Sequence, residues 1–234
     1  MADGEVVPWH RHDYGQLFYG SKGLMRVEST DGVWVVPPAR AVWIPARVDH
    51  QITAVGAVAL RAVYLSDGAS DGLSDTCCVH GFSSLLRELM AAAVRLAPDY
   101  ALDGPEARLV DVLIDQLRLE PMEHLHLPMP RDRRLRAVTE ALIADPADPR
   151  TLADFAGAAG ASARTLARRF LAETGRTFGA WRQQLRLHEA LARLSLGEPV
   201  TTVAFEVGYD SPSAFIAMFR KTLGATPGQY LSRR

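Results

Sequence analysis

The sequence predicts an α+β multidomain chain of two unlike parts. The first is an N-terminal all-β barrel carrying a helical hairpin; the second is a C-terminal all-α domain of two helix-turn-helix motifs joined by a long helix. Three observations predict it. Short apolar–polar alternations, broken every several residues by glycine, proline or Asp-Gly, run from Val6 to about Leu65. One helix–turn–helix pattern then occurs twice within residues 131–234. Charge divides the chain in the same place. Residues 1–130 hold 10 Lys and Arg against 17 Asp and Glu, a net of −7, whereas residues 131–234 hold 16 against 10, a net of +6. An acidic half joined to an arginine-rich half is the balance expected of a sensing domain coupled to one that binds a polyanion.

With 234 residues, 48% of them hydrophobic and 23% charged, the chain is long enough for two domains with real cores. No apolar run reaches the roughly 18 residues of a membrane span, and Met1 to His10 lacks the basic and apolar regions of a secretory signal. Adjacent cysteines rarely pair with one another, so Cys77 and Cys78 point to a reduced, cytoplasmic setting.

Strands are expected in QLFYG, LMRVES, VWVVP, AVWIP, HQITAV and ALRAVYL, which close into a small barrel over residues 1–75. Asp67 to Asp75 reads as a polar linker. Ser83 to Leu96 has Leu85, Leu86, Leu89, Met90 and Val94 at helical period, and Pro105 to Leu119 has Leu109, Val110, Leu113, Ile114 and Leu117. These form a hairpin over residues 80–120. Glu120 to Pro130 holds three prolines and no period, so residues 121–130 read as the linker between domains.

The barrel carries a metal-type pattern. Gly4-x5-His10-x-His12-x3-Gln16-x6-Gly23 is followed by Pro45-x4-His50. Residues two apart on a strand share a face, so His10 and His12 are expected to enter the barrel together, with His50 from a neighbouring strand. Three imidazoles and the Gln16 amide oxygen suit a divalent ion such as Zn²⁺, Ni²⁺, Fe²⁺ or Mn²⁺. The spacing resembles the two cupin motifs, with Gln16 where glutamate is usual, and with Ala39, Arg47 and Ala54 in place of the second motif's two glycines and asparagine. That resemblance implies either a bound metal or a metal-free pocket for an organic effector. The aromatics Tyr14, Phe18, Trp34, Trp43 and Tyr64 are core by default, with one or two at the pocket mouth. The expected pocket is His10, His12, Tyr14, Gln16, Phe18, Trp34, Trp43 and His50. Arg26 and Arg40 are solvated surface or partners of an anionic effector.

In the C-terminal part, Val203, Ala204 and Val207 share a helical face, Gly208 ends that helix, and Ser211-Pro212 caps and starts the next. Phe215 and Phe219 are its buried stripe; Gly224, Pro227 and Tyr230 finish the chain. Upstream, Ala156 and Gly160 stand where Ala204 and Gly208 stand later, Ser162 is the cap, and Leu166 and Phe170 are the stripe. Two copies of one DNA-reading motif are a stronger signal than either alone. Phe178 to Leu196 joins them as one rigid helix, in which His188 reads as a packed or capping residue rather than a ligand. The terminal pattern FxxxFRK-xx-G-xx-P-xx-Y and the doubled motif resemble the AraC/XylS family of transcription regulators over about Arg131 to Arg234. The resemblance implies an AraC-type domain over residues 131–234, double-stranded operator DNA as partner, a homodimer formed through helices such as those of 80–120, and contact with RNA polymerase if the protein activates.

Arg164 and Arg168, four apart, project together and match the family's base-reading positions; an arginine fork meets guanine O6 and N7. Thr165 shares their face, and Arg169 is placed at phosphate. The second helix offers Ser211, Ser213, Ile216 and Ala217 as a quieter reading surface, with Arg220 and Lys221 on the backbone. The function expected is effector-modulated, sequence-specific DNA binding without catalysis. The alternative is a metal-dependent cupin enzyme, a dioxygenase or isomerase, carrying a DNA-binding domain.

Overall fold

A computed structural model describes residues 1–232 apart from 67, 98 and 159. The start of the expected polar linker, Asp67, and the last two residues of the C-terminal domain therefore lie outside the described residues. The described residues form two compact units, one of residues 1–30 and 34–125, the other of residues 31–33 and 126–232.

The first unit opens with β1 (Val6–His10), β2 (Gly15–Gly20), β3 (Leu24–Ser29), β4 (Gly32–Val36), β5 (Arg40–Ile44), β6 (His50–Val55), β7 (Leu60–Leu65) and β8 (Cys78–Gly81). Then come helices α1 (Ser84–Ala93) and α2 (Pro105–Leu119) and the short strand β9 (Met122–Glu123). The next strand, β10 (His126–Pro128), and the first residues of β4 belong to the second unit. Two five-stranded sheets result, ordered β1-β6-β3-β4-β10 and β7-β2-β5-β8-β9. Strands thus continue beyond residue 75, and residues 121–130 are not irregular: they hold two short strands. Gly81 N–H reaches the Pro121 carbonyl at 2.9 Å and Val35 N–H reaches that of Leu125 at 3.2 Å. Backbone pairing across the sheets, invisible to a periodicity search in so short a segment, orders this stretch.

Pairing of β2 with β5 sets Leu17 opposite Trp43 and Gln16 opposite Ile44. Neighbours in a strand point to opposite faces. Leu17, Tyr19, Ala41 and Trp43 lie on the outer face, packed under Leu86, Met90, Leu113 and Leu117 of the helical pair. The opposite face, with Gln16, Phe18, Val42 and Ile44, looks into the barrel. The close fit of Trp43 explains Gly15: a Cβ there would come within 2.0 Å of the indole.

The second unit continues with α3 (Arg133–Ala144), α4 (Leu152–Ala158), α5 (Ala163–Thr174), α6 (Phe178–Ser195), α7 (Val200–Glu206), α8 (Pro212–Leu223) and α9 (Pro227–Ser232). Its first core gathers Leu135, Val138, Phe155, Leu166, Phe170 and Trp181. The buried Trp181 indole donates to the Pro128 carbonyl at 2.7 Å. The second core is an aromatic ladder: Tyr209, Phe215, Phe219 and Tyr230 follow one another at ring separations of 5.6, 5.8 and 5.7 Å. Such edge-to-face pairs are each worth about 0.5–1.5 kcal/mol beyond area burial. Both turn glycines adopt the left-handed conformation that the turn requires, Gly160 at φ +59° and Gly208 at +83°. At about 1.5 Å per residue, the 18 residues of α6 span about 27 Å. His188 within it is buried and lies 3.0 Å from the Gln184 amide.

Candidate effector and DNA-binding sites

One ring nitrogen from each of His10, His12 and His50 lies within 4.8 Å of the others. The route to that convergence differs from simple strand alternation. β1 ends at His10, which registers with His50 of β6, and His12 reaches the cluster from the loop beyond. Each ring is anchored through Nδ1 to a backbone carbonyl: His10 to Pro8 at 2.8 Å, His12 to Tyr14 at 2.6 Å, His50 to Val48 at 2.8 Å. A carbonyl only accepts, so each Nδ1 carries a proton, and in the neutral ring each Nε2 then keeps its lone pair, a tautomer suited to ligating a metal. His50 Nε2 is buried with no hydrogen-bond partner. Burial lowers the pKa of His50, and the neighbouring His10 and His12 lower it further against the Val48 hydrogen bond, which raises it. His50 is therefore neutral near pH 7.

Gln16, also buried, sets its Oε1 3.2 Å from His12 Nε2. With the His12 proton on Nδ1 these are two acceptors face to face. They repel unless a cation lies between them, the amide is turned over to donate, or the ring carries a second proton and donates from Nε2. An orphaned buried nitrogen, three anchored imidazoles and an adjacent amide make a donor set that fits a divalent ion of the N-preferring kind.

The positions where the motif's glycines are replaced keep the glycine backbone: Ala39 has φ +60° and Arg47 +64°. At Arg47 the left-handed turn aims the backbone N–H at the His12 carbonyl, 2.8 Å away. Local strain there helps to set the orientation of a cluster member.

The expected effector pocket divides in three. Tyr14 stacks on His12 at 4.4 Å, and Tyr64 stands edge-on to Tyr14 at 4.9 Å, both partly exposed beside the histidines. Phe18 and Trp34 are buried core. Trp43 is on the other side of its sheet, against α1 and α2, with its indole donating to the Ser74 carbonyl at 2.9 Å. Alternation could not reveal this, because helices cover the outer face and both faces are apolar. Arg40 is buried and bridges Glu123 at 2.8 Å, which commits it to the fold.

In the second unit, Ser162 caps α5 through the Thr165 N–H, and Thr165 Oγ1 lies 3.0 Å from the Ser162 hydroxyl, so Thr165 completes the cap. Arg164 and Arg168 are exposed and one turn apart. Arg169 differs from expectation: its guanidinium is paired with Asp132. Hydrogen bonds, first from the Arg134 backbone and then from Arg169, hold the Asp132 carboxyl below its ordinary range against the effect of burial. On α8, Ser211 is the cap, its hydroxyl accepting from Ala214 N–H. Ser213, Ala217, Arg220 and Lys221 are exposed, and Ile216 is half-buried.

Two fasteners had no signal in the sequence. Glu173 accepts from the backbone N–H of both Arg131 and Asp132, at 2.7 and 2.9 Å. Arg186 of α6 donates to the Pro146 carbonyl at 3.0 Å and to the Gly208 carbonyl at 2.8 Å, fixing the second motif's turn. Their partners lie 22 to 42 residues away in sequence, beyond any local pattern.

The profile of the AraC-like ligand binding domain matches residues 1–120, and that of a helix-turn-helix domain matches residues 155–233. The chain is 37% identical over 232 residues to the HTH-type transcriptional regulator NimR of Escherichia coli (strain K12), covering 99% of this chain and 85% of that one. It is 40% identical over 103 residues to the HTH-type transcriptional regulator RipA of Corynebacterium glutamicum, 44% of this chain and 31% of that one. Among solved structures, the DNA-binding domain of AdpA in complex with a target DNA is similar over 41% of this chain and 87% of that one, with 29% identity and a TM-score of 0.39. A ligand-binding profile over the first half, a helix-turn-helix profile over the second, and a relative alike from end to end place this chain in the AraC family of DNA-binding transcriptional regulators.

Proposed function

We propose that this regulator reads its operator mainly through Arg164 and Arg168 and is governed by a divalent ion held at His10, His12 and His50. What supports the DNA reading is one observation: two exposed arginines stand a turn apart on a capped helix whose other faces are occupied. Ser213, Ile216 and Ala217 add weaker contacts, suited to a thymine methyl, while Arg220 and Lys221 hold phosphates. Retention of its own promoter fragment, measured across a salt series, tests this reading. Selective retention that weakens with salt is expected, and Arg164→Ala with Arg168→Ala abolishes the selectivity. Retention indifferent to both changes sinks the proposal.

The ion supplies fixed positive charge that ties three segments of the barrel together. Zn²⁺, Ni²⁺, Fe²⁺ or Mn²⁺ suits the donors, with Gln16 turned to ligate or to stand beside the ion. Elemental analysis of purified protein is expected to find one equivalent, lost in His50→Ala; an unchanged metal content in that variant removes the site. Such an ion alters operator affinity only as far as it favours one arrangement of the chain. The barrel senses and does not catalyse, in keeping with the named relatives, which are regulators, and the setting is cytoplasmic.

The protein pairs with a second copy through α2, whose outer face exposes Val112 and Leu119 at 45% and 76%. Antiparallel packing about residues 111–112 sets Arg108 of each copy toward Asp115 of the other. Val112→Arg is expected to yield a monomer in sedimentation, and an unchanged mass places the dimer contact elsewhere. Activation, where it occurs, proceeds through RNA polymerase bound beside the dimer.

A further inference from the structure

We infer that Asp132, Arg169 and Glu173 are positioning residues for operator reading. They fasten the first recognition helix to the segment that leaves the last β-strand and thereby set how Arg164 and Arg168 meet the groove. The inference rests on the reading of that pair as base contacts.

Arg169 and Glu173 are four residues apart and so share a face of α5. At 3.6 residues per turn, that face lies about 140° round the helix from the one carrying Arg164 and Arg168. Arg169 thus points away from the reading surface, into Asp132, whose side chain is only 12% exposed. The Asp132 carboxylate serves two partners. One oxygen caps α3 by accepting the Arg134 N–H at 2.8 Å, and the other takes Arg169. One turn further along α5, a Glu173 oxygen accepts the N–H groups of Arg131 and Asp132 at 2.7 and 2.9 Å. Three residues upstream, the Pro128 carbonyl takes the Trp181 indole N–H at 2.7 Å. The short run from Pro128 to Asp132 is therefore held by α5 through two side chains and by α6 through one. Displacing it means moving α5 or breaking these bonds.

The experiment separates the cap from the tie. Asparagine caps a helix about as well as aspartate, so Asp132→Asn keeps the start of α3 and removes the charge that holds Arg169. Operator and non-specific binding are measured over a salt series for Asp132→Asn, Arg169→Met, the double variant and Glu173→Gln, with thermal unfolding to register folding. Asp132→Asn and Arg169→Met are each expected to lower the ratio of specific to non-specific affinity about three- to fivefold, the size of a partly exposed charge pair, and Glu173→Gln, which weakens two charge-assisted hydrogen bonds, by a similar factor. The salt slope stays unchanged, and the double variant is no worse than the single ones, as for a pair acting as a unit. Two results overturn the inference. In one, Arg169→Met lowers the slope by about 0.9, the mark of one lost phosphate contact. In the other, all variants bind as the parent does. An Arg164→Ala variant run alongside keeps the two readings apart. Unaltered base preference there removes the base-reading assignment, whereas the Asp132–Arg169 cycle still reports whether the tie governs binding.

Discussion

The first helix-turn-helix presents Arg164 and Arg168 where the second presents Ser213 and Ala217, although both are built on the same alanine, turn glycine, serine cap and pair of buried side chains. The fastenings differ as well. Charged side chains, the exposed Arg169 and Glu173 and the largely covered Asp132, hold the first reading helix to the segment ahead of α3. The turn of the second is held by Arg186, whose guanidinium also lies 5.6 Å from the Tyr209 ring centroid. The shared skeleton is what folding demands of this motif, and the differences lie where the motif leaves choice. Charged side chains that could reach a base are exposed on the first reading helix, whereas the matching positions of the second carry Ser213 and Ala217.

That contrast can be broken or sharpened experimentally. The largest effect is expected from Arg164→Ala and Arg168→Ala, each removing about 1–3 kcal/mol of discrimination between bases. Equal losses from Ser213→Ala in the second head would erase the asymmetry. Next is Arg186→Met, which is expected to lower unfolding stability by about 1–2 kcal/mol, since hydrogen bonds from a charged donor are lost from a half-buried site. Chemical denaturation checks it, and stability unchanged from the parent would show that the second turn holds itself. Ala39→Gly in the barrel is a control outside both heads. It relieves a left-handed alanine and is expected to stabilise by about 0.5–1 kcal/mol without altering operator binding. The smallest effect is that of acid. Asp132, Asp148 and Asp154 are all held below their ordinary pKa by hydrogen bonds. Their contribution is complete above the usual carboxylate range and is lost as pH falls through it toward the lowered folded values. Unfolding of Asp132→Asn is expected to depend less steeply on pH below about 4, with the first head more affected than the second.

The sequence disclosed most where physics is local. Ala156 and Gly160, Ala204 and Gly208, the serine caps and the buried apolar pairs repeat at fixed offsets because one turn of helix imposes them. The histidine cluster was legible from its spacing, although the strand argument was incomplete: His12 arrives from a loop and is steered by the carbonyl of Tyr14 and the N–H of Arg47. Trp43 was misplaced because a sheet covered on both faces gives no polar face to read. The boundary between the two units does fall within residues 121–130, but prolines conceal the two strands there, which are only two or three residues long. The pairing of Arg169 with Asp132 could not be read at all, since 37 residues separate them. An exposed arginine on a DNA-binding helix looks the same in sequence whether it faces phosphate or a carboxylate.

The hydrogen bond from Trp181 to Pro128 gives the molecule an intrinsic optical gauge. Trp181 is fully enclosed, whereas Trp9, next to His10, is 52% exposed. Indole emission shifts to longer wavelength with hydration, so the two report different regions: Trp9 the strand that ends in the histidine cluster, and Trp181 any loosening of the segment ahead of α3. With the other tryptophans replaced one at a time, fluorescence can time the two signals against each other in the unlabelled protein.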